Sequence, residues 1–160
     1  MIEYKVPVLV SAAVGSGVMA GIFFIFSNTI MTALGKMPPA QGMAAMNHIN
    51  VVIVNPLFAA AFLGTGLLSL AIGGVAVGRL GEPGALLALI GALLYLVGSL
   101  GVTRALSIPL NDALAAAGAA GGDVSALWAD YLSRWTIFNH VRSATTFAST
   151  VLFILAARRA

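Results

Sequence analysis

The 160-residue chain contains no cysteine and very little charge, with 8 Lys+Arg and 5 Asp+Glu making up 8% of the residues. Without cysteine there is no disulfide framework, no thiolate metal site and no cysteine nucleophile. Soluble domains carry about 25% charged residues. A chain with about a third of that has too little polar surface to cover a core of this size in water. Disorder is excluded as well, because it requires low hydrophobicity and high charge, and here 60% of the residues are hydrophobic. The net charge of +3 is scattered, with no basic run, so nucleic acid is not an expected partner. Also missing are a GxSxG nucleophile elbow, a Walker loop and a GxGxxG turn. No internal repeat of the kind transporters show is visible.

What remains is an all-α integral membrane protein. The mean hydropathy is +1.02, and a spanning helix needs about 20 apolar residues. Charge-free stretches give four spans in a single membrane domain, residues 1–160. The first covers 6–34 and is stopped by Lys36 and the Pro38-Pro39 pair. It is too long for the apolar segment of a cleaved signal peptide. The second covers 56–78, with Asn55 as N-cap and Pro56 at the first helical position. A single helix from about residue 40, kinked at Pro56, is the alternative. The third covers 84–103 and is closed by Arg104. The fourth covers 140–158, with a helix start as early as 127 that would put Arg142 inside it. A structured loop or short helix is expected between the third and fourth spans. There, Asn111 or Asp112 reads as a cap after an extended Ser107–Leu110 stretch, and GAAGG at 118–122 reads as a linker.

Gly17 and Gly21 form a GxxxG, and Gly84, Gly91 and Gly98 recur every seven residues. Such small residues let membrane helices approach closely within a bundle, with a homo-oligomer seam as the second reading.

Four antiparallel spans put the polar residues at one end. Asn28, His48, Asn50, Asn55, Arg104, Asn111, Asp112, Asn139, His140 and Arg142 all fall there, while the opposite end has Glu3, Lys5, the 79–83 turn and the terminal arginines. Ionisable groups at membrane depth cost several kcal/mol unless they pair or line a cavity. The clustering therefore reads as a pocket, with a hydrogen-bonded tie between helices as the plainer alternative. Arg104 and Arg142 are also candidates to pair with Asp112. Trp128, Tyr131 and Trp135 share a helical face and read first as an interfacial aromatic belt, then as a stacking surface. Asp130 and Arg134 read as a surface pair. Trp135, Asn139 and Arg142 share one face, and His140 lies about 100° away from it. In such a pocket His140 or His48 can act as a general base. Arg142 and the asparagines can stabilise an oxyanion. His48 and His140, completed by Asn, Asp or water, are the only basis for copper or iron. An enzyme, a non-catalytic binder of a small aromatic or quinone-like molecule and a structural subunit all remain open on these grounds.

Several motifs carry a family resemblance. They are Phe23-Phe24-Ile25-Phe26-Ser27, the stretch MTALGKMPPAQGMAAMNHIN over 31–50, Asn55-Pro56, Pro109-Leu110-Asn111-Asp112, and Trp135-Thr136-Ile137-Phe138-Asn139-His140-Val141-Arg142. Together they resemble the anthrone-oxygenase-like family of small four-helix membrane proteins, over nearly the whole chain. The sequence departs from that pattern at Ala105 and Ile108, where the family often has asparagine. The resemblance implies oxidation of tricyclic anthrones to quinones, with O2 as cosubstrate. It implies His140 or His48 as base, with Arg142, Arg104, Asn50, Asn55, Asn111, Asp112, Trp135 and Asn139 around the substrate. The expected location is a bacterial inner membrane. Basic residues divide four against four between the two sides, and cytoplasmic termini with an outward polar end are favoured once the site arginines are set aside.

Overall fold

The computed structural model describes residues 5–120 and 122–160. Glu3, Gly121 of the 118–122 stretch and the side chain of Lys5 lie outside that description. Five helices follow in order: α1 (Val6–Gly35), α2 (Pro39–Val52), α3 (Pro56–Val77), α4 (Ala85–Ala120) and α5 (Ser125–Ala157). All but α2 are long and apolar enough to cross a membrane, at 30, 22, 36 and 33 residues. The protein is an all-α integral membrane bundle. α1 packs most extensively on α5 and also against α3, and α4 packs against α3 and α5.

The breaks follow local chemistry. Asn55, with φ −125° and ψ 165°, caps α3 by accepting a hydrogen bond from Phe58 N at 3.0 Å, and Pro56 takes the first helical position. Residues 39–52 and 56–77 are therefore separate helices, not one helix kinked at Pro56. The 78–84 turn holds an Arg79–Glu82 ion pair at 3.6 Å and ends at Gly84, whose φ of +78° starts α4. A side chain there would meet Ala156 O at 2.8 Å, so the helices close only over glycine.

The third helix does not end at Arg104. It continues to Ala120, widened into π-turns over Leu96–Gly101 and Thr103–Ser107. Pro109 sits just after the second of these. Its ring would crowd the carbonyl of Ala105 in a regular helix, and the wider turn moves that carbonyl aside. Neither the extended 107–110 stretch nor a cap at Asn111 or Asp112 is present, because both residues lie inside α4. Residues 118–120 are also helical, and Gly122 has φ +96°.

Length sets the architecture of the polar end. At 1.5 Å per residue α4 is about 54 Å long, well beyond a hydrocarbon core of about 30 Å. α1 and α5 also overrun. Their excess gathers with α2 into a head-piece with its own core: Phe26, Met31, Leu34, Met43, Met46, Leu114, Val124, Trp128, Tyr131 and Trp135. A middle layer holds Met19, Phe23, Phe62 and Tyr95. The layer beside the 78–84 turn is built from small and aliphatic residues around Phe153. Close glycines weld α4 to α5. A Cβ on Gly98 would collide with Thr145 Cβ, and one on Gly91 would lie 3.2 Å from the Phe153 ring. Of the GxxxG pair, Gly17 faces Thr150 while Gly21 has nothing within 4 Å.

Candidate functional site

The site begins with one face of α5. Trp128, Tyr131 and Trp135 stack in series, with centroids 5.6 and 6.3 Å apart and interplanar angles of 12° and 24°. They are 3%, 2% and 5% exposed. The expected interfacial belt is thus overturned. The 36–55 segment holds a helix rather than a loop, and α2 covers this face: Gly42 has no room for a Cβ against Trp128, which would lie 2.8 Å away.

Seven residues, about two turns, further on, Arg142 continues the series. Its guanidinium lies 4.9 Å from the Trp135 centroid and 4.6 Å from that of Phe23. The residue is 5% exposed. Nη1 donates to Thr103 Oγ1 at 3.3 Å, while Nε and Nη2 are buried without a hydrogen-bond partner. The expected pairing with Asp112 is absent. Among the described residues no carboxylate lies within ion-pair distance of Arg142, and Asp112 is exposed on α4. Two aromatic faces and one hydroxyl surround the charge instead.

Around this axis lie amides. Tyr131 donates its hydroxyl hydrogen to Asn111 Oδ1 at 2.8 Å, and the Asn50 side chain lies against the same hydroxyl. Asn50 Nδ2 and Trp135 Nε1 are buried and unpaired. Asn139, with no exposure, donates from Nδ2 to Phe23 O and Ser27 Oγ, both at 2.6 Å, and so ties α5 to α1. Its Oδ1 is unpaired. The cluster is therefore rich in buried donors that have no acceptor within the protein.

The structure brings together Arg142, Trp135, Asn139, Asn111 and Asn50. Five other expected residues stand apart. Arg104 is exposed within the second π-turn, and Asp112 is exposed one position past Asn111. Asn55 is occupied as a cap, with Nδ2 donating to Val52 O at 3.2 Å. His140 is exposed, because one residue of rotation carries it off the Asn139 face. His48 is exposed on α2 and lines a cavity of about 560 Å³ with Met43, Asn47, Val51, Gly118 and Val124. Met43 and Val124 also belong to the apolar core that holds the aromatic stack, but none of Asn50, Asn111, Tyr131, Trp135, Asn139 and Arg142 lines this cavity. Among the described residues no three His, Asp or Glu side chains gather as a metal cage. The Asp130–Arg134 surface pair forms as expected, at 3.3 Å.

A second cavity, about 320 Å³, lies at the opposite end between Leu9, Ile72, Ala88 and the Arg79–Glu82 pair. Its walls are almost wholly apolar, and it contains none of the expected site residues.

Sequence reasoning gave Tyr131 only a stacking role, not the hydrogen bond to Asn111, and missed Thr103 altogether. Tyr131 had a signal. It sits four and eleven residues before Trp135 and Arg142, on the same helical face. Thr103 had none, since only the packing of α4 on α5 brings it to Arg142.

No curated protein and no solved structure matches the chain. The Anthrone oxygenase family matches it over residues 43–152. That match begins in α2 and runs through α3 and α4 into α5, so it includes Asn50, Asn111, Tyr131, Trp135, Asn139 and Arg142. With more than two thirds of its length matched, and with four helices able to span a membrane, the chain belongs to the anthrone oxygenase family of membrane proteins.

Proposed function

We propose that the protein is a membrane oxygenase converting an anthrone-type aromatic to the quinone with O2, in the polar cluster of the head-piece. The observation that carries this reading is Arg142, a buried guanidinium between two aromatic rings with Nε and Nη2 unpaired. Removing a proton from the methylene of an anthrone gives an enolate whose charge rests on the carbonyl oxygen. Arg142 holds that oxygen, and a charge-assisted hydrogen bond in a dry site strongly favours the ionised form. His48, which is exposed on α2 and lines a cavity of about 560 Å³, takes the proton. His140 is the competing base, and its variant separates the two.

The enolate carbon then gives electrons to O2, and a C–O bond forms to make a peroxide. Loss of the second C–H proton and cleavage of the O–O bond leave a carbonyl and water. One O2 is consumed per quinone, with one oxygen atom in the product and one in water. The head-piece faces outward in this reading, with Arg79, Arg158 and Arg159 on the cytoplasmic side.

The test is O2-dependent conversion of a simple anthrone by detergent-purified protein, against a protein-free blank that corrects for autoxidation. Conversion well above the blank, lost in Arg142→Gln, is the expected result. Wild-type conversion equal to the blank, or full activity in Arg142→Gln, overturns the reading.

A further inference from the structure

The cavity at the opposite end of the bundle takes no part in the proposed reaction. It measures about 320 Å³, and Leu9, Ile72 and Ala88, all buried, form its floor. A buried water needs roughly two to four polar partners, and walls of this kind offer them only at the rim. An apolar cavity of ~150 Å³ already takes up hydrocarbon rather than water. The filling that suits this larger one is therefore hydrocarbon.

Its mouth faces a source of hydrocarbon. Val8 on α1 is 38% exposed and Val75 on α3 is 55% exposed. Ala71, one turn before Val75, is exposed as well. All three line the cavity and belong to membrane-spanning helices, so the cavity opens sideways between α1 and α3 into the acyl-chain region. α3 has 22 residues, about 33 Å at 1.5 Å per residue, which matches a hydrocarbon core of about 30 Å. The 78–84 turn at its end therefore sits at the level of the lipid headgroups.

Charge selects the headgroup. Arg79 and Glu82 stand at the rim of the cavity and pair at 3.6 Å, longer than a hydrogen bond, so the guanidinium keeps donors for another anion. Gly84 also lines the cavity, and a Cβ there would lie 3.3 Å from Arg159 Cβ. Arg158 and Arg159 are both exposed. Among the described side chains this end carries three bases, Arg79, Arg158 and Arg159, against one acid, Glu82. Guanidinium groups form charge-assisted hydrogen bonds to phosphate oxygens. We infer that this cavity binds an anionic phospholipid, with one acyl chain entering between α1 and α3 and the phosphate resting at Arg79, in the positive field to which Arg159 adds. The inference is independent of the oxygenase reading.

The experiment follows the thermal midpoint of the detergent-purified full chain as a ligand is added to the micelles. The probes are dioleoyl phosphatidylglycerol, dioleoyl phosphatidylcholine, glycerol 3-phosphate and inorganic phosphate. A ligand of the folded state raises the midpoint in step with its occupancy. The anionic lipid is expected to act at about tenfold lower mole fraction than phosphatidylcholine, the difference that one charge-assisted contact makes. Glycerol 3-phosphate and inorganic phosphate, which lack a chain, should leave the midpoint unchanged. Ala71→Phe, whose ring fills the mouth from the lipid side, should abolish the lipid shift. Arg79→Gln should keep the shift and lose the preference for the anionic lipid. Equal action of the two lipids, a shift from inorganic phosphate as large as that from lipid, or a wild-type response in Ala71→Phe each overturns the inference. If Arg79→Gln is not recovered folded, the two lipids and Ala71→Phe decide it.

Discussion

The guanidinium of Arg142 rests 4.6 Å from the centroid of the Phe23 ring, with Asn139 joining the same two helices through the Phe23 carbonyl. One residue of α1 therefore supports the buried charge with its ring and, with its backbone, the amide beside it. The arrangement keeps a cation inside an apolar bundle with no counter-ion among the described residues, which is costly to the fold.

That cost gives the first prediction. Arg142→Met removes the buried charge but keeps much of its volume. Replacing a buried ion by an apolar side chain is often neutral or stabilising. The thermal midpoint in detergent should hold or rise, while anthrone turnover falls by about 10²–10³-fold, as for loss of an oxyanion donor. A large fall in both would mean that Arg142 serves the fold.

The two histidines separate cleanly. His48→Ala should lower turnover by about 10²-fold or more, as for loss of a general base. His140→Ala should stay within twofold of wild type by the expected contrast in base loss. Steady-state rates with matched detergent blanks decide it, and the reverse order would move the base to α5.

Asn55 is a cap, and its variant should behave as one. Asn55→Ala is expected to cost about 1 kcal/mol of stability and to leave the anthrone KM unchanged. A raised KM would return Asn55 to the substrate site.

Asn139 ties α5 to α1 through two hydrogen bonds from one amide group. Asn139→Ala leaves Phe23 O and Ser27 Oγ without that donor, and should cost about 1–3 kcal/mol. Denaturant unfolding in mixed micelles measures it.

A close helix contact offers a packing test. Gly98→Ala drives a methyl into Thr145 Cβ, and a β-branched side chain on a helix has little freedom to yield. Overpacking of this kind costs about 1–3 kcal/mol. The Gly98→Ala/Thr145→Ala double variant should recover part of the loss, and strict additivity would show that the two positions do not touch.

Much of this was legible in the residues. Charge-free runs marked the membrane helices, because a charge is costly at depth whatever the neighbours are. Asn55-Pro56 named its own cap, since capping is a contact within four residues. Trp135, Asn139 and Arg142 fell on one face, and His140 off it, by helical rotation alone. Pro109 misled, because a proline reads locally as a break, and only a widened turn in the preceding segment lets the helix pass it.

The sequence by itself determined the class, the spanning helices, the family and the polar end, all of which depend on composition or on periodicity within one segment. Tertiary structure decided which polar residues form the site. Thr103 meets Arg142 only because α4 runs on past Arg104 and packs against α5. Tyr131 meets Asn111 only because both helices overrun the bilayer and α2 folds over them, turning an aromatic face that would suit a membrane interface into a buried stack. Those pairings join residues 20 and 39 positions apart, and no local rule of spacing fixes contacts across different helices.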